Sequence, residues 1–152
     1  MEGLERIIRE HPFFAGLNDA FVKLISGCAK NVRFEEGQYL FHQGEFADQF
    51  YVVRAGRVAL QINSPQQTIT IQTVGENEIV GASWLVAPYR WSFDARPLEL
   101  VRALAFDAAC LRGKCDEDHE LCYELLKRFT PILIQRLQAT RLQILDVYGT
   151  KR

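Results

Sequence analysis

The chain has 152 residues, 48% of them apolar and 24% charged, the size and make-up of one domain able to bury a substantial core. A formal charge of −1 offers no basic surface for nucleic acid, no stretch approaches a membrane span, and the charged start Met1 to Glu10 is unlike a secretory signal. Cys28, Cys110, Cys115 and Cys122 are too few and too unevenly placed for a disulfide framework, so a reducing cytoplasm is the expected location.

Leu4 to Arg9 spaces its apolar residues for a short amphipathic helix. His11-Pro12-Phe13-Phe14-Ala15-Gly16-Leu17 ends it and offers two aromatics for burial. Asn18 or Asp19 caps a second helix through Ala20, Phe21, Leu24 and Ile25 to about Ala29. From Val32 the apolar period falls from about 3.6 to 2. Strands are predicted at Val32–Phe34, Tyr39–Phe41, Phe50–Val53, Val58–Ile62, Thr68–Ile71, Glu78–Val80 and Leu98–Ala103. Glu36-Gly37, Gln43-Gly44-Glu45, Ala55-Gly56-Arg57, Asn63-Ser64-Pro65 and Gly75-Glu76-Asn77 are the turns between them. Short strands this dense point to a sandwich or barrel, and a double-stranded β-helix (jelly roll) closes its edges most economically. The expected fold class is therefore mainly β with flanking helices.

Phe106 to Arg112 reads as a short helix, Gly113 to Asp118 as a charged break, and about His119 to Val147 as one long helix. Leu126, Leu133, Thr140 and Val147 recur every seven residues, with Thr130, Leu137 and Ile144 interleaved. Such a stripe can lie against the barrel or pair with the same helix of a second copy. The helix is longer than a small barrel can cover, so a homodimer through Leu126, Leu133, Leu137, Thr140, Ile144 and Val147 is expected. Pro131 removes an amide needed for the helix ladder and predicts a kink or a break. In all, residues 1–31 are read as N-terminal helices, 32–105 as the jelly roll with a pocket segment at 75–96, and 106–148 as C-terminal helices of a single domain, 1–152.

Within the pocket segment, Gly75-Glu76, Ile79 to Leu85 and Tyr89 to Ser92 read as a strand, a glycine turn, a very short helix and a returning strand. Turns of this kind gather backbone N–H groups toward one spot, which suits a phosphate or carboxylate; an ordinary capped helix kept for the fold is the competing reading. Trp84, Tyr89 and Trp91 fit stacking on a ligand ring, a protein-docking face, or simple core burial. Cys110, Cys115, His119 and Cys122 form one soft-ligand cluster, but their intervals match no standard metal pattern, and no metal is assigned. His11 and His42 lie in turns without a carboxylate or cysteine partner suggested by spacing, and structural roles are expected of both. The chain has no nucleophile elbow, metalloprotease helix or phosphate loop with lysine, and catalysis is not expected.

The order of these elements resembles the cyclic nucleotide-binding domain of the catabolite-activator and oxygen-regulator (Crp/Fnr) superfamily. Five segments carry the resemblance in order: His11–Leu17, Phe41–Val53, Arg54–Val58, Gly75–Gly81 and Arg136–Arg141. It implies a ligand pocket at Gly81, Ala82, Ser83, Trp84, Arg90, Trp91, Ser92, Thr140 and Arg141. In the family's nucleotide receptors a glutamate near the pocket helix holds the ribose, and that place is Ala82 here, with a one-residue length difference. An arginine before a serine or threonine grips the cyclic phosphate, and here Trp91 precedes Ser92, with Arg90 or Arg96 as shifted substitutes. Thr140 and Arg141 occupy the places that touch the base.

The family's transcription factors continue into a helix-turn-helix, for which Gly149-Thr150-Lys151-Arg152 leaves no room, so direct DNA binding is not expected if the chain is complete. Trp84 to Trp91 followed by Phe93-Asp94-Ala95-Arg96 is similar to accessory proteins of bacterial redox systems, among them subunits of soluble NAD-reducing hydrogenases. The resemblance thus implies a non-catalytic regulatory or docking module with a degenerate pocket. A cyclic AMP or cyclic GMP receptor, or a fragment of a Crp/Fnr-type regulator, is the alternative. The partners it admits are a second copy, another protein, and a small anionic or nucleotide-like ligand; no cofactor is named.

Overall fold

Apolar spacing and one capping side chain set the N-terminal helices. The computed structural model describes residues 2–149, and for Glu2, Gln143, Ile144 and residues 146–149 the backbone only. Helix α1 (Glu2–Glu10) buries Leu4 and Ile8, one turn apart on one face. His11 follows; its Nδ1 accepts the Phe13 N–H at 3.1 Å and opens a 3-10 turn, Pro12–Phe14. Asn18 caps α2 (Asp19–Ser26), accepting the Phe21 N–H at 2.8 Å.

Seven strands follow: β1 (Ala29–Phe34), β2 (Gln49–Ala55), β3 (Val58–Asn63), β4 (Thr68–Val74), β5 (Ile79–Val80), β6 (Asp94–Pro97) and β7 (Val101–Asp107). They pair antiparallel in two sheets, β1-β7-β2-β5 and β4-β3-β6, the jelly-roll architecture expected from the sequence. Strand β2 lies inside its sheet and is buried on both faces. Phe50 stacks on Phe106, its partner across β7, at 4.7 Å and then meets Trp84 and Phe129, while Tyr51 turns the other way toward Phe34 and Phe41. One face of the sheet therefore carries helices and the other looks into the sandwich. At the β2–β3 tip Gly56 has φ +92°, and a Cβ there would stand 2.3 Å from the Leu100 carbonyl oxygen.

Four local expectations change. Tyr39–Phe41 forms no strand; Phe41 alone bridges to Ala95. Buried Asp94 bends the chain there by accepting the Gln43 N–H at 2.7 Å, and it also approaches His42 Nδ1 at 3.7 Å, a carboxylate partner that spacing did not suggest. Leu98–Ala103 splits, because β6 stops at Pro97 where its partner β3 begins at Val58, and the Leu98 N–H turns to the Arg57 carbonyl. The break at Gly113–Asp118 shrinks to Asp118, since α3 (Ala108–Glu117) runs through Gly113 with Leu111 and Cys115 buried on one face. Strand β7 holds Phe106 and Asp107, so α3 starts later than expected, with Asp107 capping the Cys110 N–H at 2.8 Å.

Cys28 and Cys110 form a disulfide across 82 residues. The register explains the meeting: Ala29 pairs with Phe106, and the Asp107 N–H reaches the Cys28 carbonyl at 2.8 Å, so two distant cysteines flank one rung. A single staple thus joins two of the four cysteines, and Cys115 and Cys122 stay free.

Helix α4 (His119–Gly149) crosses Pro131 without a break. Asp118 receives the Glu120 and Leu121 N–H groups at its start, and Leu121, Leu125 and Phe129 are each 0% exposed. Arg128 ties it to the N-terminal segment, donating to the Ala15 carbonyl at 2.8 Å and to Glu124 at 2.7 Å. These anchors hold the turns that precede the proline. Among the described residues no helix is long and apolar enough to cross a membrane.

Candidate functional site

The β3 and β4 strands, the segment after β5 and the middle of α4 enclose a cavity of about 570 Å³, within the range of small-molecule clefts. Leu60, Ile62 and Ile71 come from the sheet; Ala82, Ser83 and Leu85 from the short turn; Val86, Pro88, Arg90, Ser92 and Phe93 from the returning segment. Helix α4 contributes Leu126, Leu133, Arg136, Leu137 and Thr140.

The pocket segment keeps the predicted strand, glycine turn and short helix, with less helix than a phosphate cradle needs. The returning strand expected at Tyr89–Ser92 does not form: Arg90 alone bridges to Phe46, and the strand comes later as β6. After β5 the chain turns at Gly81, φ +100°, and Ser83–Leu85 makes one 3-10 turn whose cap, Ala82, supplies no side-chain hydrogen bond. One turn has little macrodipole to offer an anion. Gly81 is required by its neighbour: a Cβ there would sit 2.5 Å from the Trp91 ring.

Of the residues singled out from the sequence, Ala82, Ser83, Arg90, Ser92 and Thr140 line the cavity. Trp91 does not; it is 3% exposed, lying flat on Phe41 with ring centroids 3.6 Å apart and covering Gly81. Trp84 is fully buried on the helix-covered face between Phe50 and Phe129, so both indoles are core aromatics. Tyr89 lies beneath the Arg112 guanidinium, 4.2 Å away. Arg141 is exposed, and Arg96 stands exposed on β6. Arg90 reaches the cavity wall, but its guanidinium sits 4.4 Å over the Phe46 ring and donates to the Gly44 carbonyl at 3.2 Å. It is engaged with the neighbouring turn.

A residue not singled out carries the charge of this site. Arg136 lies one helical turn before Thr140 on the same face of α4 and donates from Nη2 to the Ile79 carbonyl. Its Nε–H is buried with no acceptor, and the guanidinium carbon is 6.0 Å from the Phe93 ring. Burial pulls its pKa down to about 10, partly offset by the charge of Glu78, so it remains a cation at neutral pH. No ion pair to it occurs among the described residues. The signal available in the sequence was this spacing from Thr140.

The soft-ligand cluster is dispersed. Cys110 is in the disulfide, and buried Cys115 bonds to Cys122, which together with burial pushes its thiol up to about 12. Among the described residues no group of three or more His, Cys, Asp and Glu is arranged to hold a metal. His11 is buried, with Nε2 unpartnered and its pKa lowered by burial and by Arg54.

Of the expected seam, Leu126, Leu133 and Leu137 are 44%, 48% and 53% exposed. Thr140 is half-buried and donates to the Arg136 carbonyl. The side chains of Ile144 and Val147 lie outside the described residues.

The family model for the cyclic nucleotide-binding domain matches residues 31–118. A CRP-like cAMP-activated global transcriptional regulator of Mycobacterium tuberculosis is 23% identical over 148 residues, 97% of this chain and 64% of the regulator. A cGMP-dependent protein kinase of Plasmodium berghei is 31% identical over 80 residues, 53% of this chain and 9% of the kinase. The chain therefore spans less than two thirds of either relative. Among solved structures, a cyclic nucleotide-binding protein of Geobacter metallireducens superposes with TM-score 0.79 at 28% identity, covering 90% of this chain and 99% of its own. The sensor domain of the transcriptional regulator DNR of Pseudomonas aeruginosa matches in fold, with TM-score 0.71 at 21% identity over 91% of this chain and 95% of its own.

Proposed function

The chain belongs to the cyclic nucleotide-binding domain family, and we propose that it is a non-catalytic regulatory or docking module whose pocket no longer suits an ordinary cyclic nucleotide. One observation carries this reading: a methyl group at Ala82 and a buried indole at Trp91 stand where the family pattern places ribose-holding and phosphate-gripping side chains. Among the described residues no carboxylate lines the cavity, and Arg90 is engaged elsewhere. Each charge-assisted hydrogen bond contributes roughly 1.5–3 kcal/mol. Losing two such contacts lowers affinity by about two to four decades.

The occupancy of the pocket would be transmitted through α4, which forms one wall and exposes Leu133 and Leu137 to a second copy. A homodimer through this helix is part of the proposal. The protein partner put first is a bacterial redox enzyme, on the likeness of Trp84–Trp91 and 93–96 described above.

Titration with cyclic AMP and cyclic GMP, followed by melting temperature, is the test. A ligand at about a hundred times its Kd adds roughly 2.7 kcal/mol of stability, so binding near micromolar strength is plainly visible. We expect no shift. A micromolar Kd for either nucleotide overturns the reading in favour of a receptor, the alternative supported by similarity to the mycobacterial cAMP-activated regulator.

A further inference from the structure

The geometry points to an apolar monocarboxylic acid as the ligand of this cavity, its carboxylate seated on Arg136 and its hydrocarbon or aromatic body lying against Ile62, Ile71, Phe93, Leu133 and Leu137. The inference rests on the proposed loss of the nucleotide fit and goes beyond it to a ligand class. A buried N–H without an acceptor is uncommon in folded proteins, and one on a charged group is costlier still. Arg136 presents such an N–H while lining an otherwise apolar wall, with one edge already given to the Ile79 carbonyl.

Charge and shape narrow the class. Among the described residues the wall contains two guanidiniums, Arg90 and Arg136, and no carboxylate, with Glu78 acting on Arg136 only from outside the lining, so an anion is favoured over a cation or a zwitterion. Arg90 is occupied by the Phe46 ring and the Gly44 carbonyl, leaving a single cation to answer a single anionic group. A phosphate dianion brings two charges against this single free cation, whereas one carboxylate is balanced by one guanidinium. The remaining polar atoms of the wall are the hydroxyls of Ser83, Ser92 and Thr140, and Thr140 already donates to the Arg136 carbonyl. Little in the wall answers the hydroxyls of a sugar. The expected ligand therefore has an apolar body and a single charged end.

Calorimetric titration of the full chain with indole-3-acetate and with decanoate tests this, using indole-3-acetamide and decanol as uncharged counterparts. At least one acid should bind about tenfold or more tightly than its counterpart. The preference should vanish in Arg136→Gln and be partly kept in Arg136→Lys. Equal binding of acid and counterpart overturns the inference on the unchanged chain, whether or not the variants fold. Undiminished acid binding by a folded Arg136→Gln overturns it as well. If neither acid nor cyclic nucleotide binds, this inference alone falls. If the acids fail and cyclic AMP binds, the proposed function falls with it.

Discussion

The two halves of α4 use apolar residues in opposite ways. Before Pro131, Leu121, Leu125 and Phe129 are fully buried, and Phe129 meets Phe13, Phe50 and Trp84 edge-on at 5.0–5.6 Å. Beyond it, Leu133, Ile134 and Leu137 are about half exposed, while the guanidinium of Arg136 is drawn beneath the barrel. The first half is part of the core and fixes where the helix starts. The second half is an apolar surface with a buried cation at its root, the face that the proposed dimer would cover. On that proposal, stability belongs to one half of the helix and response to the other.

The largest effect should come from the first half. Phe129→Ala removes the ring that three other aromatics meet and should cost about 3–5 kcal/mol, measured by urea unfolding. A loss near 1 kcal/mol would mean that the anchored half is less anchored than its burial implies. Next is the staple behind it: Cys28→Ser should lower stability by about 2–4 kcal/mol, and wild type in strong reductant should match the variant. Four free thiols rather than two, counted in the untreated protein after denaturation, would contradict the pairing.

A smaller effect belongs to His11, whose pKa is lowered in the fold. The folded state thus prefers the neutral ring, and the unfolded chain binds more protons once pH drops below its ordinary value near 6.5. Stability should be intact above that pH and fall as the solution is acidified toward the folded-state value, as protonation also removes the Nδ1 acceptor of the Phe13 N–H. His11→Asn should flatten this part of the melting-temperature profile.

The smallest changes in fold stability are expected past the proline. Arg136→Met should leave stability within about 1 kcal/mol of wild type or raise it, because an unpaired buried charge gives way to an apolar chain of similar length. Leu133→Asp should alter the stability of dilute protein by no more than about 0.5 kcal/mol, while halving the sedimenting mass at high concentration. A wild type that sediments as a monomer at every concentration would leave the second half of α4 needing another companion.

Much of the fold was legible because local chemistry agrees with the final arrangement. Asn18 looks like a cap and is one, Gly56 sits at a turn that tolerates no side chain, and β2 and β3 carry short apolar runs bounded by turn residues. Strand β6 was missed because Asp94-Ala95-Arg96-Pro97 has no strand pattern of its own; pairing with β3 makes it one. On α4 a seven-residue seam and a four-residue stripe run side by side, with Leu125 and Leu126 adjacent and facing different surroundings. Periodicity finds both sets of leucines and cannot say which one the barrel takes. Arg136 reads as an ordinary solvated charge until the fold sets it against Ile79, 57 residues earlier.

The seating of Trp91 also limits what one substitution can do at this corner of the barrel. Its ring fills the space above Gly81 and lies flat on Phe41, so exchanging it for arginine would open a void on one side and strand a cation on the other. Deleting a buried aromatic costs about 3–5 kcal/mol, comparable to a large part of a small domain's whole margin. A single exchange of Trp91 for arginine therefore removes much of that margin before any guanidinium is in place to meet a phosphate.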